Sequence, residues 1–374
     1  MSKLKIFTVL GTRPEIIRLS LIIKKFDIFF DHTLIHTGQN PDYELNKIFF
    51  DDLKIRKPDY FLNAHKNSPI KTIAKIIIEV DKIIKKNKPD AFFILGDTNS
   101  SMSAYSAKRN KIPIFHYEAG NRCFDQRVPE EINRKIIDHI ADINLTYSDI
   151  ARNYLINENF AVDRIIKIGS PMYEVIKNIK VKINKSNILK KLKLKKLSYI
   201  LISIHREENL DYQNNFNIII DSINELSKKR KIILSLHPRT KKKLSETKLI
   251  INKNVDLLKP FSFSDYLTLQ KNSFCVISDS GTINEESSIL DFDAINIRDN
   301  HERPESNEES VTILSGINKD KIIECYELIN KNKRNNNKLK KSIVSEYKID
   351  NVSDKIIKIV QSYTNYVNKH VWKK

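Results

Sequence analysis

The sequence predicts an α/β protein with two Rossmann-like domains, each a doubly wound parallel β-sheet with helices on both faces. Short runs of apolar, β-branched residues alternate with longer amphipathic stretches along most of the chain. This alternation lapses once, in the lysine-rich stretch 177–197, and then resumes. The chain has 374 residues, which is more than one ordinary hydrophobic core accommodates.

The first half carries strand-like runs that are apolar throughout, separated by stretches with helical spacing. The predicted strands are "KIFTVL", "HTLIHT", "AFFILG", "IPIFHY", "ADINLTYS" and "RIIKIG". The predicted helices are "PEIIRLSLIIKKF", "PIKTIAKIIIEVDKIIKK", "TNSSMSAYSAKRN", "PEEINRKIIDHI" and "SDIARNYLINEN". Strands of this kind are buried on both faces, which is typical of parallel sheets.

The second half repeats the pattern after the lysine-rich stretch. Its predicted strands are "LSYILISIH", "RKIILSLH", "NVDLLKP", "FCVISDS" and "AINI", and its predicted helices are "NFNIIIDSINELSKK", "FSDYLTLQKN" and "GTINEESSIL". We therefore expect an N-terminal domain over 1–177 and a C-terminal domain over 178–355. A closing helix over 356–374 is expected to pack back on the N-terminal domain.

Composition excludes several classes of protein. No apolar run approaches the ~20 residues that span a bilayer, so no membrane insertion is expected. The three cysteines lie far apart without metal or redox spacing, which favours a reduced cytoplasm and predicts no metal site. The net charge of +19 comes from lysines spread along the chain, and no nucleic-acid-binding motif accompanies them. A nucleotide partner therefore fits better than nucleic acid.

Ligands of such sheets bind beyond the carboxyl ends of the strands, so polar residues at those ends are candidates. Gly11 and Arg13 follow the first strand, where a helix start favours an anion. Asp97 follows the strand "AFFIL", and it is either a catalytic carboxylate or a helix N-cap.

The segment "HYEAGNRCFDQRVPEEINRK", 116–135, concentrates charge after another strand. If the strand continues, His116 and Glu118 share a face. A helix that starts at Pro129 brings Glu130 beside Arg134, and Glu131 beside Lys135, at i,i+4 spacing. A capped helix with surface ion pairs is the plain alternative, but the loop before it also carries the charged residues Arg122, Asp125 and Arg127.

The second half has its own strand-end candidates. His205 and Arg206 end one strand, while His237 and Arg239 at the next strand end are expected to be structural. The turn Ser280-Gly281-Thr282 precedes a helix whose backbone N–H groups would hold a phosphate, and Glu286 one turn later would hold ribose. Arg298 and Arg303 lie near a further strand end.

Taken together, these motifs resemble the non-hydrolysing UDP-N-acetylglucosamine 2-epimerase family over nearly the whole chain. The matching pieces, in order, are "GTRPE", "GDT", "HYEAGNR", "PEEINR", "HR", "SDSGTINEE" and "RDNHERPE". The resemblance implies a GT-B architecture with the active site in a central cleft, and a homodimer. It implies no cofactor.

The piece between "EAG" and "PEE" resembles the branch of the family that acts on 6-deoxy sugars. The expected reaction converts UDP-2-acetamido-2,6-dideoxy-L-talose to UDP-N-acetyl-L-fucosamine, for capsule or O-antigen synthesis. The alternatives within the family are a UDP-N-acetyl-L-rhamnosamine 2-epimerase, which makes UDP-N-acetyl-L-quinovosamine, and a UDP-N-acetylglucosamine 2-epimerase. The alternatives outside the family are a GT-B glycosyltransferase, a hydrolysing relative and a basic nucleic-acid-binding protein.

The resemblance also implies roles for individual residues. The catalytic candidates are Asp97, Glu118, Glu130 and His205. The substrate-binding candidates are Arg13, Arg18, His116, Arg122, Arg134, Arg206, Ser280, Gly281, Thr282, Glu286 and Arg303. The chain departs from the family where Arg18 replaces a lysine and Thr282 a glycine. The segment "TGQNPDYELN", 37–46, also differs from the stretch that binds an activating UDP-sugar in some relatives, so no activator is expected.

Overall fold

The computed structural model describes residues 3–39, 43–247, 249–300, 302–334 and 343–374. The chain divides into two compact units, the first comprising Met1–Asn178 with Lys348–Lys374 and the second Ile179–Tyr347. Residues 348–355, which the sequence pattern assigned to the second domain, belong to the first unit.

Each unit is built around a parallel β-sheet, as the sequence predicted. The strands of the first unit are β1 (Lys5–Leu10), β2 (Asp31–His36), β3 (Tyr60–Phe61), β4 (Ala91–Leu95), β5 (Ile114–Tyr117), β6 (Ile143–Thr146) and β7 (Ile165–Lys167). Those of the second are β8 (Tyr199–Ile204), β9 (Lys231–Leu236), β10 (Val255–Leu258), β11 (Cys275–Ser278), β12 (Ala294–Asn296) and β13 (Ile313–Leu314). The spatial orders are β3-β2-β1-β4-β5-β6-β7 and β10-β9-β8-β11-β12-β13.

Helices separate most of the strands. In the first unit they are α1 (Arg13–Phe29), α2 (Tyr43–Leu53), α3 (Pro69–Asn87), α4 (Ala104–Arg109), α5 (Pro129–Ile140), α6 (Asp149–Asn157) and α7 (Met172–Asn178). In the second they are α8 (Lys180–Lys185), α9 (Ile188–Lys191), α10 (Glu207–Leu210), α11 (Gln213–Ser227), α12 (Pro238–Glu246), α13 (Phe263–Asn272), α14 (Ile283–Leu290), α15 (Pro304–Glu308) and α16 (Lys319–Arg334). The closing helix α17 (Val352–His370) packs against α1 of the first unit. None of the helices among the described residues is long and apolar enough to cross a membrane.

Both sheets are buried because their strands carry apolar side chains on both faces. In the first unit Phe7 and Phe92 are almost fully buried within one core cluster. In the second, Leu201 and Val276 pack on one side of the sheet while Ile202 and Ile277 pack on the other. Two covered faces are what a doubly wound parallel sheet requires.

The strand order reverses at one place in each sheet, between β1 and β4 and between β8 and β11. Connections leave in opposite directions at such a switch point, so the carboxyl ends of the two strands border a crevice. The fold therefore points to the loops after β1 and β4, and after β8 and β11, as the places for a ligand.

Some predicted elements differ in detail. The single helix predicted over 98–110 divides into a 3₁₀ turn, Asn99–Ser103, and α4. The lysine-rich stretch is partly helical, because Ile183 and Ile188 in α8 and α9 are buried in the second unit. The short edge strands β3 and β13 gave no recognisable apolar run, since each has only two residues.

Gly120, just after β5, offers a test of this packing. Its φ is +78°, and a Cβ placed there would lie 2.4 Å from the carbonyl oxygen of Ala151. We expect Gly120→Ala to lower the free energy of unfolding by about 2 kcal/mol or more, from left-handed strain and overlap together. Urea unfolding followed by circular dichroism measures the change.

Gly281→Ala is the matched control for this substitution. Gly281 does not have a positive φ. The one atom within 4 Å of a Cβ placed there would be Arg206 Nη2, at 3.8 Å. It should unfold close to the wild type. Equal stabilities for the two variants would contradict the packing around Gly120.

Candidate functional site

The loop after β1 is tied to the loop after β4 by a buried carboxylate. Glu15 accepts hydrogen bonds from the backbone N–H groups of Gly11 (2.9 Å) and Thr12 (2.8 Å), and from Thr98 Oγ1 (3.0 Å). Burial raises the pKa of Glu15 to about 7, against the opposing effect of these hydrogen bonds. Gly11 has no room for a side chain, because a Cβ would lie 2.1 Å from Thr37 Oγ1.

Asp97, at the end of β4, is held by Arg134 of α5. Arg134 Nε donates to Asp97 Oδ2 over 2.8 Å, and Nη2 donates to the same oxygen. The N-cap role considered for Asp97 falls to Thr98, whose hydroxyl accepts from the N–H of Ser100. Arg134 is fully buried and also contacts Glu131 (3.0 Å), so its position is fixed from two sides.

Glu118 stands beyond the end of β5, with a left-handed φ of +72°. The strand therefore ends at Tyr117, and the expectation that His116 and Glu118 share a strand face is wrong. The Glu118 carboxylate is 5 % exposed, lies 2.5 Å from Arg18 Nη1 and accepts from the Tyr147 hydroxyl over 3.2 Å. A buried carboxylate thus meets a cation and a hydroxyl at the sheet edge.

His116 and Arg122 belong to a buried network around Asp138. His116 Nε2 lies 2.9 Å from the Gly96 carbonyl oxygen, and Nδ1 lies 2.9 Å from Asp138. Arg122 donates to Asp138 over 2.7 Å and forms a two-pronged pair with Glu158. Burial works against ionisation, yet His116 and Arg122 hold the pKa of Asp138 below its ordinary value. This geometry favours structural roles for both over the substrate contacts that the resemblance implied.

Glu130 and Arg13 lie in the first turns of their helices, α5 and α1. Glu130 is half-buried in the first turn of α5. Its neighbour Glu131 is fully buried and lies 3.5 Å from Lys135, which is the predicted i,i+4 pair. Arg13, half-buried in the first turn of α1, lies 5.9 Å from the centre of the Phe49 ring. The segment 37–46, at which no activator is expected, includes residues 40–42, which lie outside the described residues.

In the second unit, a buried aspartate organises the end of β8. Asp279, at the end of β11, accepts from the backbone N–H groups of His205 (3.0 Å) and Arg206 (2.9 Å) and from Asn209 Nδ2 (2.9 Å). Its Oδ1 lies 3.0 Å from His205 Nδ1. Although burial opposes this, His205 and the N–H groups hold the pKa of Asp279 well below its ordinary value.

The turn Ser280-Gly281-Thr282 lies beside Arg206. The hydroxyls of Ser280 and Thr282 are 3.0 Å apart, and both residues are half-buried. A Cβ on Gly281 would lie 3.8 Å from Arg206 Nη2, so this guanidinium stands over the turn that opens α14. The second unit therefore places a cation and a helix start together at its switch point, which suits a phosphate.

Two further residues that were predicted to bind the substrate are almost fully buried, so little of either side chain is exposed to a ligand. Glu286 is 5 % exposed and accepts from Gln270 Nε2 over 2.6 Å. Arg303 is 3 % exposed and lies 3.7 Å from Glu285. Glu286 belongs to the first turn of α14 and Arg303 contacts its neighbour Glu285, so both side chains are held by contacts within the second unit.

Sequence reasoning missed residues that support the site from behind. Tyr147 follows β6 at the same sheet edge as Glu118, and the strand-end rule applied to "NLTYS" would have found it. Asp279 belongs to the motif "SDSGTINEE", but its distance along the chain from His205 gave no indication that the two residues are in contact. Glu15 and Glu131 were missed in the same way: each belongs to a motif, Glu15 ties Thr98 to the loop after β1, and Glu131 contacts Arg134.

Comparison with known proteins identifies the family. A family model described as UDP-N-acetylglucosamine 2-epimerase matches residues 24–361. A UDP-N-acetylglucosamine 2-epimerase of Methanocaldococcus jannaschii is 37 % identical, covering 89 % of this chain and 94 % of the relative.

Solved structures agree with the sequence comparison. The structure of UDP-N-acetylglucosamine 2-epimerase from Rickettsia bellii matches with 48 % identity and a TM-score of 0.91, over 100 % of both chains. The M. jannaschii enzyme in complex with UDP-GlcNAc and UDP matches with 34 % identity and a TM-score of 0.89, over 96 % of this chain and 99 % of that one. The chain therefore belongs to the non-hydrolysing UDP-N-acetylglucosamine 2-epimerase family and is an isomerase.

Proposed function

We propose that the protein inverts C2 of a UDP-linked N-acetylhexosamine by eliminating UDP and adding it back. The observation that carries this is a pair of carboxylates, Asp97 and Glu118, at the ends of adjacent strands and each held by an arginine. Positioned carboxylates are what proton transfer at carbon needs.

The chemistry explains why the leaving group matters. The C2 proton of an amino sugar is not next to a carbonyl, so its direct removal leaves an unstabilised carbanion. If the bond from C1 to UDP breaks, the C2 proton leaves to a carboxylate and a glycal forms. Reprotonation from the other face and return of UDP to C1 give the epimer. We assign the proton transfers to Asp97, Glu118 and Glu130, without dividing base from acid.

The second unit is proposed to hold the nucleotide. Arg206 and the turn Ser280-Gly281-Thr282 would bind the diphosphate, with Arg303 behind them. His205, 30 % exposed and fixed by Asp279, would act at the leaving oxygen. Arg13, Arg18 and Arg134 would add positive charge around the carboxylates of the first unit. The contact with Gln270 favours a structural role for Glu286 over the ribose contact that the resemblance implied.

Two sugars are candidate substrates. The loop between Gly120 and Pro129 resembles the 6-deoxy branch and supports UDP-2-acetamido-2,6-dideoxy-L-talose, with UDP-N-acetyl-L-fucosamine as product for capsule or O-antigen. The relatives named above support UDP-N-acetylglucosamine equally well. The proposal includes a homodimer and a cytoplasmic location, both on the family resemblance.

Neutralising either carboxylate should stop turnover and spare nucleotide binding. Asp97→Asn and Glu118→Gln are expected to lower kcat by ~10²–10⁴, because each removes one general acid or base. The dissociation constant of UDP, measured by calorimetry, should stay within about threefold, since a factor of three is only about 0.6 kcal/mol.

Asp149→Asn is the control, because Asp149 is an exposed carboxylate paired with Lys167 at the surface. It should turn over like the wild type. If Asp97→Asn or Glu118→Gln also did so, that residue would have no part in the proton transfers.

Hydrogen exchange at C2 tests both the type of reaction and the identity of the sugar substrate. In D₂O, without an acceptor sugar, the true UDP-sugar substrate should gain one deuterium at C2. NMR measures this incorporation. We expect the rate to separate the 6-deoxy substrate from UDP-N-acetylglucosamine. Transfer of the sugar to an acceptor without exchange at C2 would indicate a glycosyltransferase, and full release of free UDP would indicate a hydrolysing enzyme.

A further inference from the structure

Tyr147 contacts the carboxylate to which the proposed mechanism gives a proton transfer. Its hydroxyl donates to Glu118 Oε2 over 3.2 Å, and Arg18 Nη1 lies 2.5 Å from the same oxygen. We propose that Tyr147 is a positioning residue, which orients the Glu118 carboxylate and helps to keep it ionised in the resting enzyme. This rests on the proposed function, and it takes Glu118 to be the carboxylate that removes the C2 proton.

The tyrosine ring is held in place on two sides. Tyr147 is fully buried, and its ring meets that of Tyr117 edge-on at 5.0 Å between centres. The Arg18 guanidinium lies 5.9 Å from the centre of the Tyr147 ring. Since the ring is fixed in this way, the hydroxyl is presented to Glu118 in one direction. A loose side chain could not orient a carboxylate.

Burial explains why Glu118 needs such a donor. A carboxylate that is 5 % exposed has lost most of its water, and an ionised group in that position depends on charges and hydrogen-bond donors around it. Arg18 supplies the charge from α1 and Tyr147 supplies a neutral donor after β6. Gly96, which directly follows β4, also approaches the carboxylate, since a Cβ placed on it would lie 3.7 Å from Glu118 Oε2.

A neutral donor suits proton transfer better than a second cation. Arg18 alone favours the carboxylate strongly, and a further cation would make Glu118 a weaker base. A hydroxyl also bonds to the carboxyl after it has taken the C2 proton, because a tyrosine oxygen accepts as well as donates. Tyr147 can therefore hold Glu118 before and after the transfer.

The test is Tyr147→Phe, which removes the hydroxyl and keeps the ring. Without this donor the pKa of Glu118 should rise, so the acidic limb of the pH profile of kcat/KM should move up by about one pH unit. At a pH below that limb, exchange at C2 should fall about tenfold, while KM changes less than kcat. Incorporation of 3-fluorotyrosine at 147, a stronger donor, should move the limb the other way.

Tyr117→Phe is the matched control. Tyr117 is also fully buried and packs against Tyr147, but its hydroxyl donates to the Gly169 carbonyl oxygen over 2.7 Å. Its loss should cost stability, because a buried carbonyl loses its donor, and leave the pH profile in place. A profile for Tyr147→Phe that superimposes on those of the wild type and Tyr117→Phe would overturn the proposal.

A second measurement separates this inference from the proposed function. In protein labelled with ¹³C-glutamate, the carboxyl resonance of Glu118, assigned by its absence in Glu118→Gln, can be titrated without any sugar. The pKa of Glu118 should be higher in Tyr147→Phe and lower with fluorotyrosine. Equal values in all three proteins would overturn the positioning role. A wild type that exchanges no UDP-sugar would instead overturn the proposed function.

Discussion

The structure depends on carboxylates that are each paired with a basic side chain at the carboxyl ends of parallel strands. Glu118 meets Arg18, Asp97 meets Arg134, and Asp279 meets His205. Removing one partner of a buried pair is strongly destabilising, because the other charge is left without water or a counterion. These contacts therefore hold the loops at the strand ends in place.

The carboxylates of the two units are paired with different kinds of group. In the first unit the carboxylates are the groups at the sheet edge, and arginines support them from α1 and α5. In the second unit the buried Asp279 accepts from the backbone N–H groups of His205 and Arg206, and the turn Ser280-Gly281-Thr282 follows it directly in the chain. The first unit thus presents paired carboxylates at the ends of its strands, and the second presents a histidine and a hydroxyl-bearing turn that opens a helix.

The sequence predicted both parallel sheets, the start of α5 at Pro129, the start of α1 to within one residue, and the strand ends where polar residues gather. It did so because apolar periodicity and strand-end position are local patterns. It did not predict that the backbone turns to a left-handed φ at Glu118, nor that His116 and Arg122 face inward to Asp138. Such details depend on contacts between residues far apart in the chain, and residue type alone does not indicate which way a charged side chain points.

The first unit is discontinuous, and this affects how the protein is made. Residues 348–374 leave the ribosome only after the whole of the second unit, Ile179–Tyr347, has been synthesised. Until then the apolar side of α1 lacks Ile356 and Val360 of α17, both of which are fully buried in the finished protein. Since domains tend to fold during synthesis as they emerge, the second unit can complete its core while the earlier one waits for its last helix. During translation the nascent first unit is the part that would need a chaperone.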